Sequence, residues 1–362
     1  MANNKDLNKA KEGKKDEFYT QLEDIEKEMR HYREYFRGKS VFCNCDDPYE
    51  SNFFKYFVMN FNMLGLKKLT ATCYATSPIV YTQLSLFGDG EEFGRENDKR
   101  KPYKIEITEV SDINGDGAVD MTDVEQLIRT GKNILTTLEG DGDFQSEECI
   151  KLLNECDVVC TNPPFSKIRS FISLLIKSKK DFLILGNMNA IHYKEVFPLI
   201  KNNEMWLGQS IHSGDREFRV PDDYPLAASG WRIDENGIKY IRVKGIRWFT
   251  NIDYKKRHED IILYRRYSKE EYPKYDNYDA IEVKSVKDIP EDYYGDMGVP
   301  DNFIDVYNPE QFEIVGLGCG DLAKEIGVTK NYRGRTDLAF MENGKPKCPY
   351  SRIIIRRKKH AD

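Results

Sequence analysis

The chain lacks any Cys-x-x-Cys pair, and its 362 residues hold only eight cysteines and five histidines. That scarcity excludes a zinc pattern and a disulfide framework, so the thiols are expected to be reduced and Cys43-Asn44-Cys45 reads as a buried strand end. No apolar run approaches the ~18 residues of a membrane span, and the charged start Met1-Ala2-Asn3-Asn4-Lys5-Asp6 contains no signal-peptide core. A cytoplasmic location is the expectation. No internal repeat is visible. With 40% hydrophobic and 32% charged residues, the composition is that of a soluble globular protein of one elaborate domain or two.

Positive charge is also short overall, at net −6, which argues against a polyanionic partner until the deficit is located. Residues 88–123 hold eleven Asp/Glu against five Lys/Arg, and the rest of the chain balances. Residues 1–15 carry five Lys against two acids and read as a flexible basic arm. Residues 331–362 carry nine Lys/Arg against three acids. Basic ends of this kind suit phosphate contact, and a solvated tail is the alternative.

Alternating strand-like and helix-like segments run from Ser40 to Leu207. Strands are expected at Ser40–Cys45, Lys67–Tyr74, Lys104–Val110, Ile134–Leu138, Asp157–Thr161 and Asp181–Gly186. Helices are expected at Gln21–Phe36, Phe53–Phe61, Val119–Ile128, Ser146–Glu155, Lys167–Lys177 and His192–Ile200. This pattern implies a doubly wound α/β sheet, mixed but mostly parallel, over residues 16–207, with an insertion at 76–137. From residue 208 the chain turns to Trp, Tyr, Arg and Lys interleaved with Gly and Pro, a composition of short strands and loops that suits nucleic acid.

The organising stretch is Asp157-Val158-Val159-Cys160-Thr161-Asn162-Pro163-Pro164-Phe165. A short β-branched run ends in two prolines, so Asn162 falls beyond the carboxyl end of a strand, where open α/β sheets bind ligands. Each proline holds its predecessor extended, which fixes the directions of the Asn162 amide oxygen and the Pro163 carbonyl, and Phe165 supplies a flat apolar ring. An exocyclic aromatic amine, its lone pair delocalised into the ring, needs two such acceptors to hold its hydrogens as the nitrogen pyramidalises. Four residues alone also fit a tight turn.

Asn162-Pro163-Pro164-Phe165 resembles the Asn-Pro-Pro-Phe/Tyr motif of amino-directed, S-adenosylmethionine-dependent DNA methyltransferases. Asp47-Pro48-Tyr49-Glu50-Ser51-Asn52-Phe53 resembles their first motif, with Ser51 and Phe53 in place of both glycines. Gly142-Asp143-Phe144 resembles the third motif, and Asp16-Glu17-Phe18-Tyr19-Thr20 the Phe-x-Thr-Pro motif. The chain is similar to the EcoRI-type family of adenine-N6 DNA methyltransferases over nearly its whole length, through stretches such as Tyr272–Ile281, Asn308–Glu313 and Cys348–Tyr350.

This resemblance implies a Rossmann-like methyltransferase fold with a target-recognition region at 208–362, and double-stranded DNA as substrate, its target adenine flipped onto Phe165. It also implies a monomer, with a cognate restriction endonuclease as a possible partner. Phe18, Tyr19, Thr20, Asp46, Asp47, Pro48, Asp141, Asp143 and Phe144 would hold the cofactor. The acid that usually binds the ribose is missing after Cys73-Tyr74, and Asp46 or Asp141 is its expected replacement. The rivals are a non-catalytic DNA- or RNA-binding protein on the same fold, and a methyltransferase acting on RNA or on a protein glutamine.

The chain departs from the family pattern at residues 76–137. Asp112, Asn114, Asp116, the Ala118 carbonyl, Asp120 and Asp123 are spaced like a dockerin or EF-hand loop, with Gly117 at the sharp turn, so one structural calcium ion is expected there.

Overall fold

The computed structural model describes residues 18–45, 51–72, 102–112, 115, 119, 122–123, 134–221, 224, 226 and 230–359. The basic arm 1–15 and most of the insertion 76–137 lie outside them. The chain divides into two compact units, Met1–Met188 with Ser213–Ile252, and Asn189–His212 with Asp253–Asp362. Residues 213–252, expected to belong with the rest of the C-terminal region, are thus part of the first unit.

The strands of the first unit are β1 (Tyr19–Thr20), β2 (Ser40–Cys43), β3 (Lys68–Thr72), β4 (Tyr103–Ile107), β5 (Ile134–Thr137), β6 (Val158–Thr161), β7 (Asp181–Asn187), β8 (Asp215–Arg219), β9 (Trp231–Ile233), β10 (Lys239–Lys244) and β11 (Ile246–Thr250). Its principal sheet runs β5-β4-β3-β2-β6-β7-β11. Pairing is parallel between β2 and β3, β2 and β6, and β6 and β7. It is antiparallel between β3 and β4, β4 and β5, and β7 and β11. The expected mostly parallel sheet is therefore parallel only at its centre. Antiparallel pairing at both edges requires no helical crossover between the strands it joins.

Strand order reverses beside β2, whose neighbours are β3 and β6. The gap beyond the carboxyl ends of β2 and β6 is the topological switch point of the sheet. Two contacts fix these strands at opposite ends: the Ser40 N–H donates to Asp157 Oδ2 at 2.7 Å, and the Cys45 N–H donates to Thr161 Oγ1 at 3.2 Å.

Side-chain caps start two of the helices. In α1 (Asn52–Met59), Ser51 Oγ accepts from the N–H groups of Phe53 and Phe54. In α2 (Glu147–Glu155), Ser146 Oγ accepts from Cys149 N–H, and Glu147 and Glu148 sit on the positive end of the dipole. A third, α3 (Ile168–Lys177), buries Ile168, Phe171, Ile172 and Leu175 along one side.

Two expected helices are broken. Gln21–Phe36 resolves into a helix at Leu22–Met29 and a 3-10 turn at Arg33–Phe36. His192–Ile200 resolves into a 3-10 segment ending at His192 and a short helix at Phe197–Lys201. Pro198 lies in the first turn of that helix, the position where a missing N–H costs nothing.

In the second unit, β12 (Ile281–Glu282), β13 (Asp296–Pro300), β14 (Phe312–Leu317) and β17 (Arg352–Arg357) form a sheet in the order β12-β13-β17-β14. A separate hairpin joins β15 (Phe340–Glu342) to β16 (Lys345–Lys347). The basic C-terminal run is therefore no solvated tail. Ile353, Ile354 and Ile355 are fully buried in an interior strand, and their hydrophobic contribution outweighs the charge around them. Arg352 is spent on the buried Glu282 at 2.7 Å, and Arg356 on Asp296 at 2.7 Å. Arg357 lies over the Tyr294 ring.

Candidate active site

β6 is buried along its whole length and delivers Asn162 to the switch point, where the residue is 7% exposed. Pro164 is held extended at φ −52°, ψ 121°, and its carbonyl accepts from Lys167 N–H, which starts a 3-10 turn at Phe165. Asn162 Nδ2 donates to the Phe18 carbonyl at 2.5 Å. Because the amide nitrogen is the end so anchored, the oxygen is the end that can accept. The structure thereby joins the Asn-Pro-Pro-Phe loop to the N-terminal Phe18-Tyr19-Thr20 segment.

That segment is held in turn by β8. Tyr19 pairs with Arg219 and Thr20 with Phe218, while the Thr20 carbonyl accepts from Asn52 Nδ2 at 2.7 Å. Ser51, which stands where the family pattern has a glycine, does different work by capping α1. Phe53, at the second glycine position, is buried edge-on against Trp248 at 5.8 Å. Asp46, Asp47 and Pro48 lie outside the described residues.

Phe165 differs from the expected open ring. It is 7% exposed, with Phe18 at 5.4 Å and Phe218 at 5.9 Å, and Tyr224 adds a further ring to Phe18 at 6.0 Å. A base that stacks on Phe165 must displace one of these neighbours, since aromatic side chains without another apolar partner pack on one another.

Asp141 and Asp143 shape the loop after β5. Asp141 Oδ1 accepts from Asp143 N–H, Asp143 Oδ1 accepts from Gln145 N–H, and Lys167 Nζ donates to Asp143 Oδ2 at 2.6 Å. Lys167 follows Phe165 by two residues, so this contact ties the third motif to the Asn-Pro-Pro-Phe loop. Phe144 is a core residue here, fully buried edge-on against Phe171 at 5.0 Å. The sequence reading missed Glu148, whose Oε2 accepts from the N–H groups of Glu139 and Gly140 and so positions the same loop. Burial raises the pKa of the nearby Cys149 thiol, which keeps it protonated and out of the chemistry.

Among the described residues, Thr20 Oγ1, on a residue 4% exposed, and Asn44 Nδ2, on a residue 1% exposed, are buried polar atoms at this end of the unit that find no hydrogen-bond partner. Buried polar groups ordinarily find partners, so an unpaired acceptor-donor and an unpaired donor fit a bound polar cofactor. The sequence reading placed Asn44 at a buried strand end and gave it no role in the site. Its signal was an amide at the end of the first sheet strand, two residues before the Asp46-Asp47-Pro48 motif.

Of the calcium-loop residues, Asp112 and Asp123 are described. Asp112 Oδ1 accepts from Gly115 N–H at 2.6 Å, and Asp123 is fully buried. Asn114, Asp116, Ala118 and Asp120 lie outside the described residues. Among the described residues no group of three or more His, Cys, Asp and Glu could hold a metal ion. Nor is any helix among them long and apolar enough to cross a membrane.

A family model described as "Adenine-specific methyltransferase EcoRI" matches residues 6–358. The chain belongs to this family. It is 44% identical to the Type II methyltransferase M.EcoRI of Escherichia coli over 362 residues, 99% of this chain and 98% of that protein. The Type II methyltransferases M.MgeORF184P of Mycoplasma genitalium and M.MpnI of Mycoplasma pneumoniae are each 34% identical, with 98% of either protein covered. These alignments take in 97% and 98% of this chain. No solved structure matches. The chain is accordingly an adenine-specific methyltransferase, and membership of this family implies the use of S-adenosylmethionine.

Proposed function

We propose that this protein methylates N6 of adenine at a specific site in duplex DNA, flipping the base to reach it. The observation that carries the reading is the Asn162–Phe18 hydrogen bond, which brings the amine-holding loop and the N-terminal cofactor motif to one switch point. Thr20, Asn44, Asp141 and Asp143, with Phe18, Tyr19, Asp46, Asp47 and Pro48 from the family pattern, would hold the cofactor. When bound, it supplies an electrophilic methyl group.

The chain's own residues orient the amine. Asn162 Oδ1 and the Pro163 carbonyl accept the two N6 hydrogens and draw the nitrogen lone pair out of conjugation, toward the methyl. Phe165 with Phe18 and Phe218 forms an apolar wall that excludes water. The amine proton leaves once the nitrogen has become cationic, so no strong base is required.

The reading extends to the rest of the chain. Residues 16–207 carry cofactor and chemistry, residues 208–362 carry target recognition, and the arm 1–15 meets phosphate. The protein works as a cytoplasmic monomer, with a cognate restriction endonuclease as its counterpart. The 112–123 segment binds one structural calcium ion. Its support is the oxygen spacing and the turn at Asp112, and its test is whether chelation lowers the melting temperature of the wild type but not of Asp112→Ala.

Single-molecule sequencing of host DNA, with and without expression of the chain, tests the main reading. N6-methyladenine confined to one sequence motif is the expected result. Absence of any new methylation by a folded, cofactor-binding protein would overturn it.

A further inference from the structure

We propose that one face of the small sheet beside the active-site loop is a stacking platform for the nucleotides that flank the target adenine, with Trp231 as its outermost ring. The proposal rests on the reading of the protein as a DNA methyltransferase. The sheet runs β1-β8-β10-β9, all antiparallel, and lies wholly within the first unit. Its registers place Thr20 opposite Phe218, Phe218 opposite Ile241, and Ile241 opposite Trp231. Directly opposed residues share a face, so these four form one row across the sheet.

The row starts at the active site and ends in solvent. Phe218 is 1% exposed and packs on both Phe18 and Phe165. Ile241 is half-buried, and Trp231 is 48% exposed, as is Ile233 two residues along the same face. An apolar stripe thus continues without a break from the loop that carries Asn162 to the outer edge of the sheet.

The charge on the two faces differs. Alternation puts Arg216, Lys239 and Val243 on the face with Trp231, and puts Asp215, Glu217, Arg219, Tyr240, Arg242, Lys244 and Arg232 on the other. Within these strands, every carboxylate is on the second face. The first face offers apolar surface and two cations, of which Arg216 has Asp24, from outside the sheet, at 3.8 Å. Base rings bordered by phosphates are the complement of such a surface.

The edge strand is also braced from behind. Arg232 is bidentate to Glu217 at 2.5 and 2.9 Å and lies 4.0 Å over the Tyr240 ring. The β9–β10 turn is closed by Asp234 Oδ1, which accepts from the N–H groups of Asn236 and Ile238, with Gly237 at φ +80°. A rigid hairpin that keeps a tryptophan and an isoleucine in water on its edge strand is an aggregation hazard unless that face has an occupant.

The test uses the full chain with its cofactor and a duplex carrying the adenine that sequencing identifies as methylated. Trp231→Ala should weaken duplex binding about ten- to hundredfold, the usual effect of losing one aromatic stacking partner, and Trp231→Phe should restore most of it. Cofactor affinity and melting temperature should stay at wild-type values for both. Because stacking releases no counterions, Trp231→Ala should keep the wild-type slope of log affinity against log salt, whereas Lys239→Ala should flatten it.

Wild-type duplex affinity in Trp231→Ala overturns the platform, as does loss of self-association, instead of loss of DNA binding, in sedimentation of that variant. If the wild type itself binds cofactor but neither binds nor methylates DNA, the underlying functional reading fails instead.

Discussion

Asn162 and Phe18 lie 144 residues apart in sequence, yet the Asn162 Nδ2 donates to the Phe18 carbonyl at 2.5 Å. This bond sets which end of the amide can accept, and it makes two substitutions informative. Asn162→Ala should reduce methyl transfer by about a hundredfold or more while cofactor affinity stays within a few-fold of wild type. Asn162→Asp keeps an acceptor but turns a carboxylate against the Phe18 carbonyl, so it should fail as well. Turnover near wild type in Asn162→Asp would show that the Phe18 contact does not orient the site.

Thr20 and Asn44 test the cofactor site by a different logic. A buried polar atom with no partner adds nothing to the stability of the ligand-free fold, so Thr20→Val and Asn44→Leu should leave its melting temperature unchanged or higher. Each should weaken S-adenosylmethionine binding by about 1 kcal/mol or more in calorimetry. A lowered melting temperature with unchanged affinity would assign both residues to the fold alone.

Asp143 can act on the cofactor directly or only through Lys167. Asp143→Ala should weaken cofactor binding by about 1.5 to 3 kcal/mol, the worth of a hydrogen bond to a charged group. Lys167→Met removes the ion pair and keeps the carboxylate. If the two variants lose the same affinity, Asp143 serves only to hold the loop.

The buried pair Arg352–Glu282 gives a stability prediction. Arg352→Met leaves a carboxylate uncompensated on a residue 2% exposed, and breaking such a pair costs about 3 to 5 kcal/mol. Chemical denaturation should show this loss, and Arg352→Met with Glu282→Gln should recover part of it.

His258 adds a pH dependence. Its hydrogen bond to Asp253, and then that to Glu310, raise its pKa above 6.5. A group with a raised folded pKa contributes stability that is fully present below its unfolded pKa and lost as pH rises through the folded value. Melting temperature should therefore fall as pH rises from about 6.5 through that raised value, and His258→Gln should remove that part of the slope.

What the sequence disclosed was local. β6 and α2 were legible because a β-branched run ended by prolines, and a serine ahead of two glutamates, determine their own conformations. The Asn-Pro-Pro-Phe loop was legible for the same reason. The antiparallel edges of the sheet were not, since pairing direction depends on how the chain returns.

β1 was equally hidden: two residues form a strand only because Phe218 and Arg219 supply the partner. The cations of the run at 352–359 were legible in the sequence, whereas the burial of Ile353–Ile355 depends on β13 and β14 on either side, which no local pattern reveals. Phe165 and Phe144 were chosen as site aromatics by pattern, but their burial depends on Phe18, Phe218 and Phe171, which no local pattern reveals.

The interior position of β17 sets a timetable for synthesis. A ribosome releases residues in order, so β12, β13 and β14 emerge before the strand that must separate β13 from β14. Until then Met297, Val299 and Ile314 have no Ile353–Ile355 row against which to close. The second unit therefore completes only after Arg357 has left the exit tunnel. A chain halted before Arg352 exposes two unpaired strand edges, and its expected fate is capture by a chaperone or aggregation.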